Sequence, residues 1–423
     1  MPREAIVSAG TICHASMANK APPAMSHVVK GRFLTPEALF WIAGVAWGVA
    51  IVVVCARLFL HPIAHSIYPV IRNAGAQWLR RERLYQPGSS EFLYSPLFAG
   101  LMCLFALIPM KFGVLIWHLV NVGAFLAGAT LIARGLWIGA HDSRRAWAAL
   151  ALLPLTLSNV NNGQANLVVL GLLLAGLAAY DRQRWFWCGL CGAAVVYVKI
   201  YPVILFLLLT IFAPPRMWWS LLLSIAALFA VSLMLQHPSY VLEQYNLWMN
   251  HLRGDARRTI AEGRWRDCYL LLKLLSAPIT VRGWMILQFV SGALVALLCF
   301  YASVRKWSWE RSEWLVLVLA TLWMVLFGPA TEAATYVLIA PTVVYAMIAA
   351  TDVSSPIWLR CGTILSYILI CAADALNAWV HPRHHVALAH AVQPLCAILF
   401  LGVAIPWLIS DSRWQRREQA SAN

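Results

Sequence analysis

Two short segments place chemically active side chains where apolar helices begin or break. Lys-Ile-Tyr-Pro occupies residues 199–202, inside an apolar run that extends from Gly192 to Leu209. Asn-Asn-Gly-Gln-Ala-Asn occupies residues 161–166, where another apolar run begins. Polar and ionisable side chains at membrane depth are costly and mark functional cavities. These two segments are therefore the first candidates for a binding or catalytic site.

The Lys-Ile-Tyr-Pro segment could bind a phosphate. Pro202 breaks the helix, and Lys199 places a cation at the depth where a lipid-linked phosphate lies. The same pattern is also typical of a lysine that extends to the membrane interface and binds no ligand. Spacing alone leaves both interpretations open.

The Asn-rich segment could bind oxygen atoms of a phosphate or a sugar. The free backbone N–H groups and positive dipole at a helix N-terminus attract anions. Asn162, Gln164 and Asn166 add amides that can hydrogen-bond to hydroxyl groups. Ordinary helix capping by asparagine beside a glycine turn explains the pattern equally well.

The composition predicts an all-α, polytopic membrane protein. Of the 423 residues, 61% are hydrophobic and only 12% are charged. The apolar runs are continuous rather than alternating, which favours helices over a barrel, and their number predicts about 11 to 13 helices. The candidate spans are about 38–60, 94–109, 112–133, 146–160, 164–180, 186–200, 201–213, 217–235, 284–304, 313–328, 334–350, 357–377 and 391–409.

The basic residues indicate which ends of these spans face the cytoplasm. The net charge is +15, and most Lys and Arg lie in short loops, so they are topology signals and lipid contacts rather than a nucleic-acid surface. Alternating the spans from about residue 112 onward places one large set on a single side: Arg134, Arg144, Arg145, Arg182, Arg184, Arg216, Lys306, Arg311, Arg413, Arg416 and Arg417.

The positive-inside rule makes that side the cytoplasm of a multi-pass membrane protein. Residues 1–36 are expected to form a disordered cytoplasmic tail, 37–410 the membrane domain and 411–423 a second cytoplasmic tail. Within the membrane domain, 61–93 and 236–283 are expected to be outer loops. This arrangement requires segment 94–109 to dip into the membrane without crossing it.

The polar motifs then gather at the outer face. A carrier tends to place its site near the midplane between repeats, and a channel needs rings of like residues. The sequence has no convincing internal repeat. The pattern favours an enzyme that acts at the outer surface on a membrane-borne substrate.

Several segments together resemble glycosyltransferase family 87. The central stretch, GQANLVVLGLLLAGLAAYDRQRWFWCGLCGAAVVYVKIYPVILFL, contains the Gly-Gln-x-Asn and Lys-x-x-Pro motifs, with Lys199 36 residues after Gly163. YPVIRNAGAQWLRRERLYQPGSSEFLYSPLFAGL (68–101) is similar to the first outer loop of the family. QYNLWMNHL (244–252) and LFGPATEAATYVLIAP (326–341) also look like segments of one branch. The resemblance covers about residues 38 to 350.

The resemblance implies a fold, a reaction and a set of partners. The fold would be the helical bundle of the C-type membrane glycosyltransferases, with an active-site cavity on the periplasmic face. The donor would be a polyprenyl-phosphate sugar, commonly mannose, and the acceptor a lipid or a glycan. Because the leaving group is a lipid phosphate, the resemblance implies neither a nucleotide-binding domain nor a metal or other cofactor.

The sequence departs from the family at the expected general base. Family members usually carry an Asp early in the first outer loop, and alignment places Ile67 at that position. A base must reach the acceptor proton. The candidates are Glu91, close to the start of the next helix, and Glu332, in an otherwise apolar stretch. Pairing of Glu332 with a cation such as Lys199 remains an alternative.

Other polar residues complete the predicted site. Arg72, Arg264 and Arg266 join Lys199 as candidate phosphate ligands, because arginine forks fit phosphate oxygens, although headgroup contact is the alternative. Tyr201 and Asp267 are candidates for the sugar or acceptor, with an interfacial aromatic belt and helix capping as their alternatives. A metal site at His381, His384 and His385 is disfavoured because no carboxylate lies near them.

The sequence thus predicts a hexosyltransferase that uses a polyprenyl-phosphate donor. Two alternatives stay open: a carrier or flippase of lipid-linked saccharides, and a catalytically inactive family member. Both alternatives stay open because Ile67 stands where the family usually has its catalytic aspartate.

Overall fold

The protein is a bundle of α-helices. The computed structural model describes residues 35–86, 92–133, 142–253, 265–329, 331–351, 355–379 and 386–410. These residues form sixteen α-helices and one 3₁₀ helix, and no strand is found among them. The all-α prediction is confirmed.

Seven segments of the described chain are long and apolar enough to cross a membrane. Each has a continuous apolar composition, so the full circumference of the helix suits lipid or the bundle interior. They are α1 (Pro36–Leu60), α4 (Met110–Ala133), α9 (Pro215–Leu235), α12 (Val281–Val304), the 3₁₀ helix Ala333–Ile339 continued by α14 (Ala340–Ala350), α15 (Ile357–Trp379) and α16 (Val386–Ile409).

Five further helices coincide with the remaining candidate spans, apart from segment 94–109. They are shorter or carry more polar residues: α5 (Asp142–Asn162), α6 (Asn166–Asp181), α7 (Trp185–Val198), α8 (Val203–Leu209) and α13 (Trp309–Phe327). Four more helices lie between the spans or replace one: α2 (Tyr68–Arg80), α3 (Pro96–Ala106), α10 (Pro238–Arg253) and α11 (Cys268–Leu274).

Helix α6 packs closely against α4 because both helices carry glycine at the contact. A Cβ atom on Gly171 would lie 2.3 Å from the carbonyl oxygen of Ala124, and one on Gly128 would lie 2.3 Å from that of Gly171. Small residues allow helix backbones to approach in this way. The contact fixes the position of α6, whose first residues carry the Gly-Gln-x-Asn motif.

Helices α2 and α3 lie over one end of the bundle. They run antiparallel, because the hydroxyl of Tyr68 at the start of α2 donates to the carbonyl of Phe105 at the end of α3. The indole of Trp117 on α4 contacts the rings of both Phe98 and Phe105, and its N–H donates to the Gly163 carbonyl at 2.7 Å. Trp117 therefore connects α3 to the turn between α5 and α6.

Candidate active site

The turn between α5 and α6 is shaped by Gly163. Its φ angle is +70°, in the left-handed region that glycine adopts without strain, and a Cβ atom there would lie 2.4 Å from the His118 ring. The N-cap of α6 is Ala165, which provides no side-chain cap. The amides of the motif therefore do not cap α6, and the turn directs them elsewhere. We call the end of the bundle that contains this turn the site end.

A chain of hydrogen bonds connects the two polar motifs to Glu332. The Lys199 ammonium donates to Oδ1 of Asn166 at 2.6 Å. Nδ2 of Asn166 donates to Oε1 of Gln164 at 2.8 Å, and Nε2 of Gln164 donates to Oε2 of Glu332 at 2.6 Å. Every bond points from the cation to the carboxylate, an arrangement in which successive hydrogen bonds polarise one another. We call this chain of four residues the relay.

The two charged ends of the relay are more accessible than its centre. Gln164 and Asn166 are buried, whereas Lys199 and Glu332 are half-buried. No ion pair within 4.0 Å joins Lys199 to Glu332, although both lie in the described part of the chain. Two amides thus hold the opposite charges apart.

Local backbone chemistry explains why Lys199 points away from its helix. A proline ring clashes with the carbonyl four residues before it and disfavours a helical conformation in the residue that it follows. Pro202 accordingly stops α7 at Val198, and Lys199 has an extended conformation with φ −145° and ψ 134°. The Tyr94 ring, which stacks on Phe98, lies 5.9 Å from the ammonium and provides a cation–π contact.

Glu332 is held at the beginning of the 3₁₀ helix. The backbone N–H of Glu332 donates to the Thr335 hydroxyl at 3.2 Å, and the Glu332 side chain accepts from the Thr335 backbone in return. This reciprocal capping box orders the residue that follows the Gly328-Pro329 break. The carboxylate is therefore attached to a fixed backbone rather than to a long loop.

A second polar group lies beside Glu332 and includes Arg266. The Arg266 backbone N–H donates to the Thr331 carbonyl at 2.9 Å, and its guanidinium Nη1 donates to Oε1 of the buried Gln393 at 2.9 Å. The charge of Arg266 interacts with both Glu332 and Asp374. Asp374, half-buried on α15, also interacts with Ser158 on α5.

Asp374 is the residue at this site that the sequence analysis did not select. It lies within the candidate span 357–377, which was interpreted as an ordinary apolar helix. The sequence feature that could have identified Asp374 is its carboxylate, since an acidic residue within a membrane helix is costly and usually functional.

The structure places the other predicted residues as follows. Asp267 caps α11, its side chain accepting from the Leu270 backbone N–H at 3.1 Å, which is the capping role considered from the sequence. Tyr201 is half-buried in the connection between α7 and α8. The carbonyl of Asn162 accepts from the Ile67 N–H at 3.0 Å.

Arg72 is not brought to the relay. Its Nη2 donates to the carbonyls of Ala106 and Ile108, at the opposite end of α3 from Tyr94. Because α3 has 11 residues, this end lies about 16 Å from the start of the helix. Glu91, Arg264, His381, His384 and His385 lie outside the described residues. Among the residues that the structure describes, no group of three His, Cys, Asp or Glu is placed to hold a metal ion.

The residues from Tyr94 to Glu332 lie within a region of the chain that matches the sequence model of one protein family. The sequence model of Glycosyltransferase family 87 matches residues 92–341, more than half of the chain. The chain belongs to glycosyltransferase family 87. The resemblance seen in the sequence is therefore confirmed, and the protein is a multi-pass membrane glycosyltransferase. All four residues of the relay lie inside the matched region, whereas Asp374 lies beyond it.

A solved structure is also similar to this chain. It is the crystal structure of ArnT from Cupriavidus metallidurans bound to undecaprenyl phosphate, with 15% sequence identity and a TM-score of 0.38. The similarity covers 86% of this chain and 77% of the ArnT chain. No curated protein sequence matches the chain.

Proposed function

We propose that this glycosyltransferase moves a hexose from a polyprenyl-phosphate donor to a hydroxyl group of a lipid or glycan acceptor. Mannose is the first candidate for the sugar. The observation that carries the proposal is the relay, which holds a cation and a carboxylate apart at the site end. Glycosyl transfer from a phosphate needs one group that stabilises the departing phosphate and another that accepts the acceptor proton.

Lys199 is the group suited to the phosphate. Asn166 and the Tyr94 ring occupy two sides of its ammonium, and we assign the remaining N–H donors to an anion. A charge in a partly buried site is screened less than a charge at the surface. Lys199 would bind the donor phosphate and stabilise the negative charge that grows on it as the sugar leaves. A further cation, Arg266, is joined through its backbone N–H to Thr331, the residue next to Glu332.

Glu332 is the group suited to the acceptor. Gln164 bonds to one carboxylate oxygen, Oε2, and holds the side chain in place. In the proposed step, the acceptor oxygen forms a bond with the anomeric carbon while the bond from that carbon to the phosphate oxygen breaks. The acceptor proton passes to Glu332, and the bonding electrons leave with the polyprenyl phosphate.

Glu332 also offers an answer to the missing aspartate at position 67. The Ile67 backbone bonds to Asn162, immediately before the α5–α6 turn. Glu332 reaches the same turn from the other side through Gln164. A carboxylate at 332 could thus serve the region in which the family resemblance places its aspartate.

The charges at the other end of the bundle support a periplasmic location for the site. Arg182 and Arg184 follow α6, and Lys306 precedes α13. These segments meet at the end opposite the α5–α6 turn, where the rings of Tyr180 and Trp309 stack at 4.6 Å. By the positive-inside rule we assign this end to the cytoplasm, and with it the relay to the periplasmic side of a bacterial inner membrane.

The test is a transfer assay in proteoliposomes. Radiolabelled polyprenyl-phosphate-mannose is offered with a membrane lipid extract to the wild type, to Lys199→Ala and to Lys273→Ala. Lys273 is the matched control because its ammonium lies 5.4 Å from the Tyr269 ring but is exposed and outside the site.

The proposal requires a labelled product from the wild type and from Lys273→Ala, and a loss of product from Lys199→Ala. Movement of the labelled lipid between leaflets without any product would refute transfer and support a carrier. Product formation only with another sugar on the donor would retain the reaction and exclude mannose.

A further inference from the structure

Asp374 occupies an unusual position in a membrane helix. It lies on α15, whose other residues near this level are mostly apolar, and it is half-buried within the protein. No ion pair within 4.0 Å involves Asp374 in the described part of the chain. A carboxylate at membrane depth without a bonded cation is costly unless it has a function.

The register of α15 against α5 places Asp374 beside Ser158. The Tyr367 hydroxyl on α15 donates to the Ala151 carbonyl on α5 at 3.1 Å. Asp374 and Ser158 each follow those residues by seven positions, or two helical turns, and therefore lie on the same faces of their helices. Ser158 is accordingly a neighbour that interacts with the Asp374 carboxylate.

The register of α15 against α16 places Asp374 at the level of Gln393. These helices are antiparallel, and a Cβ atom on Gly362 would lie 2.8 Å from the Val403 side chain. Asp374 lies twelve residues after Gly362 on α15, and Gln393 lies ten residues before Val403 on α16, so both lie at about the same level. Gln393 accepts from Nη1 of Arg266, so the guanidinium is directed to this level as well.

The resulting group has unused capacity for hydrogen bonds. An ionised carboxylate can accept about four hydrogen bonds, and a guanidinium can donate five. Within the described residues, Ser158 is the polar neighbour found for Asp374, and Gln393 is the hydrogen-bond partner found for the guanidinium of Arg266. A carboxylate that accepts and a guanidinium that donates are together suited to the paired hydroxyl groups of a sugar ring.

This group approaches Glu332 from different helices than Lys199 does. The contacts of Lys199 come from α6 and from the segment before α3. Asp374 and its neighbours come from α5, α15, α16 and the segment before α11. Arg266 is joined to Thr331, the residue next to Glu332, through its backbone N–H. Glu332 is thus connected to Lys199 through the relay and to Arg266 through the neighbouring Thr331.

We propose that Asp374 and Arg266, with Gln393 and Ser158 orienting them, form a subsite that binds the hydroxyl groups of a sugar ring. The inference rests on the proposed function. The sugar could be that of the donor or that of the acceptor, because both present the same chemistry.

The test measures equilibrium binding to the purified full-length protein. Two probes are used, polyprenyl-phosphate-mannose and bare polyprenyl phosphate, with the wild type, Asp374→Asn, Lys199→Ala and the control Asp181→Asn. Asp181 is the matched control because it lies at the opposite end of α6. Loss of one or two hydrogen bonds to a charged group corresponds to a loss of affinity of about tenfold or more.

Three results support the subsite or overturn it. The subsite binds the donor sugar if Asp374→Asn binds the mannosyl lipid about tenfold more weakly than the wild type does. In that case Asp374→Asn binds bare polyprenyl phosphate as well as the wild type does. Unchanged binding of both lipids, together with an increase of about tenfold in the acceptor KM during transfer, assigns it to an acceptor sugar. Equal weakening of both lipids, or no change in either binding or KM, overturns the proposal.

The Lys199→Ala arm separates this inference from the proposed function. Lys199→Ala is expected to weaken binding of both lipids because both carry the phosphate. If Lys199→Ala binds both lipids normally while Asp374→Asn is selective for the mannosyl lipid, the phosphate assignment fails and the sugar subsite stands. If the wild type binds neither lipid, both proposals are wrong.

Discussion

Replacement of Asn166 by Asp is the sharpest test of the relay. The substitution changes one NH₂ group to an oxygen atom and keeps the shape of the side chain. The carboxylate would still accept from Lys199, at the 2.6 Å seen for Oδ1. It could no longer donate to Gln164, so two acceptor oxygens would meet where a hydrogen bond of 2.8 Å now lies. The direction of the relay would be broken while its packing is retained.

The magnitude follows from the position of the new charge. A phosphate that contacts Lys199 from its open side would lie about 5 Å from the introduced carboxylate, because each is in contact with the same ammonium. Two like charges at about 5 Å repel by about 3 kcal/mol at an effective dielectric constant of about 20. This repulsion corresponds to a decrease of about 100-fold in the affinity for polyprenyl phosphate.

The assay is equilibrium binding of radiolabelled polyprenyl phosphate to purified protein. Asn250→Asp provides the matched control, because the Asn250 amide also donates to a neighbouring side chain, Asn246, at 3.4 Å, but on the exposed part of α10. Asn250→Asp is expected to bind like the wild type, and both variants are compared after confirming a single peak in size-exclusion chromatography.

Binding by Asn166→Asp within threefold of the wild type would refute the reasoning. Such a result would mean that the phosphate does not bind near Lys199, since an added negative charge in contact with that ammonium would otherwise repel it. Weak binding by both Asn166→Asp and Asn250→Asp would instead show that the effect is not specific to the relay, and would also contradict the account.

Three further predictions concern the structure around the relay. Gly163→Ala is expected to lower stability by about 2 to 4 kcal/mol, because it adds a side chain at φ +70° that would overlap the His118 ring, and a fall in the melting temperature in detergent checks this. Gly171→Ala is expected to lower stability by about 1 to 3 kcal/mol, because the backbone carbonyl of Ala124 cannot rotate away from the new methyl group. An unchanged melting temperature would contradict the packing of α4 on α6. Tyr94→Leu is expected to weaken polyprenyl phosphate binding more than Tyr94→Phe does, by up to about tenfold, because only the leucine lacks the ring beside Lys199; equal binding by both variants would argue against that contact.

The helices of the membrane domain could be predicted from the sequence because their apolar runs are continuous. Each candidate span coincides with at least one helix. Helices α2, α10 and α11 were not predicted, since they lie in the polar segments 61–93 and 236–283. In those segments the apolar residues cover only one helix face, which a search for continuous apolar runs does not detect.

The members of the relay could be selected from the sequence, but their connection could not. Lys199, Gln164 and Asn166 belong to two motifs that are close in the chain, and Glu332 was selected because a carboxylate in an apolar stretch is costly. The bond between Gln164 and Glu332 joins residues 168 positions apart, so only the packing of the 3₁₀ helix against α6 brings them together. Direct pairing of Lys199 with Glu332 was the simpler expectation, and the two intervening amides replace it.

The positions of Arg72 and Asp374 show what motif reasoning does not reveal. The guanidinium of Arg72 donates to the carbonyls of Ala106 and Ile108 at the end of α3, a contact that its sequence motif does not predict. Asp374 was passed over because its surroundings in the sequence are apolar. Its neighbours Ser158 and Arg266 come from distant parts of the chain, which no local pattern reveals.

In the proposed mechanism, Glu332 accepts the proton from the acceptor while Lys199 holds the donor phosphate. The most direct measurement is the single-turnover rate of sugar transfer by Glu332→Gln with saturating donor, compared with Glu243→Gln, whose carboxylate is exposed and pairs with Arg83 at 3.8 Å. The account predicts a rate at least about 100-fold lower for Glu332→Gln, with donor binding within threefold of the wild type, and a normal rate for Glu243→Gln. A transfer rate by Glu332→Gln within threefold of the wild type would contradict it.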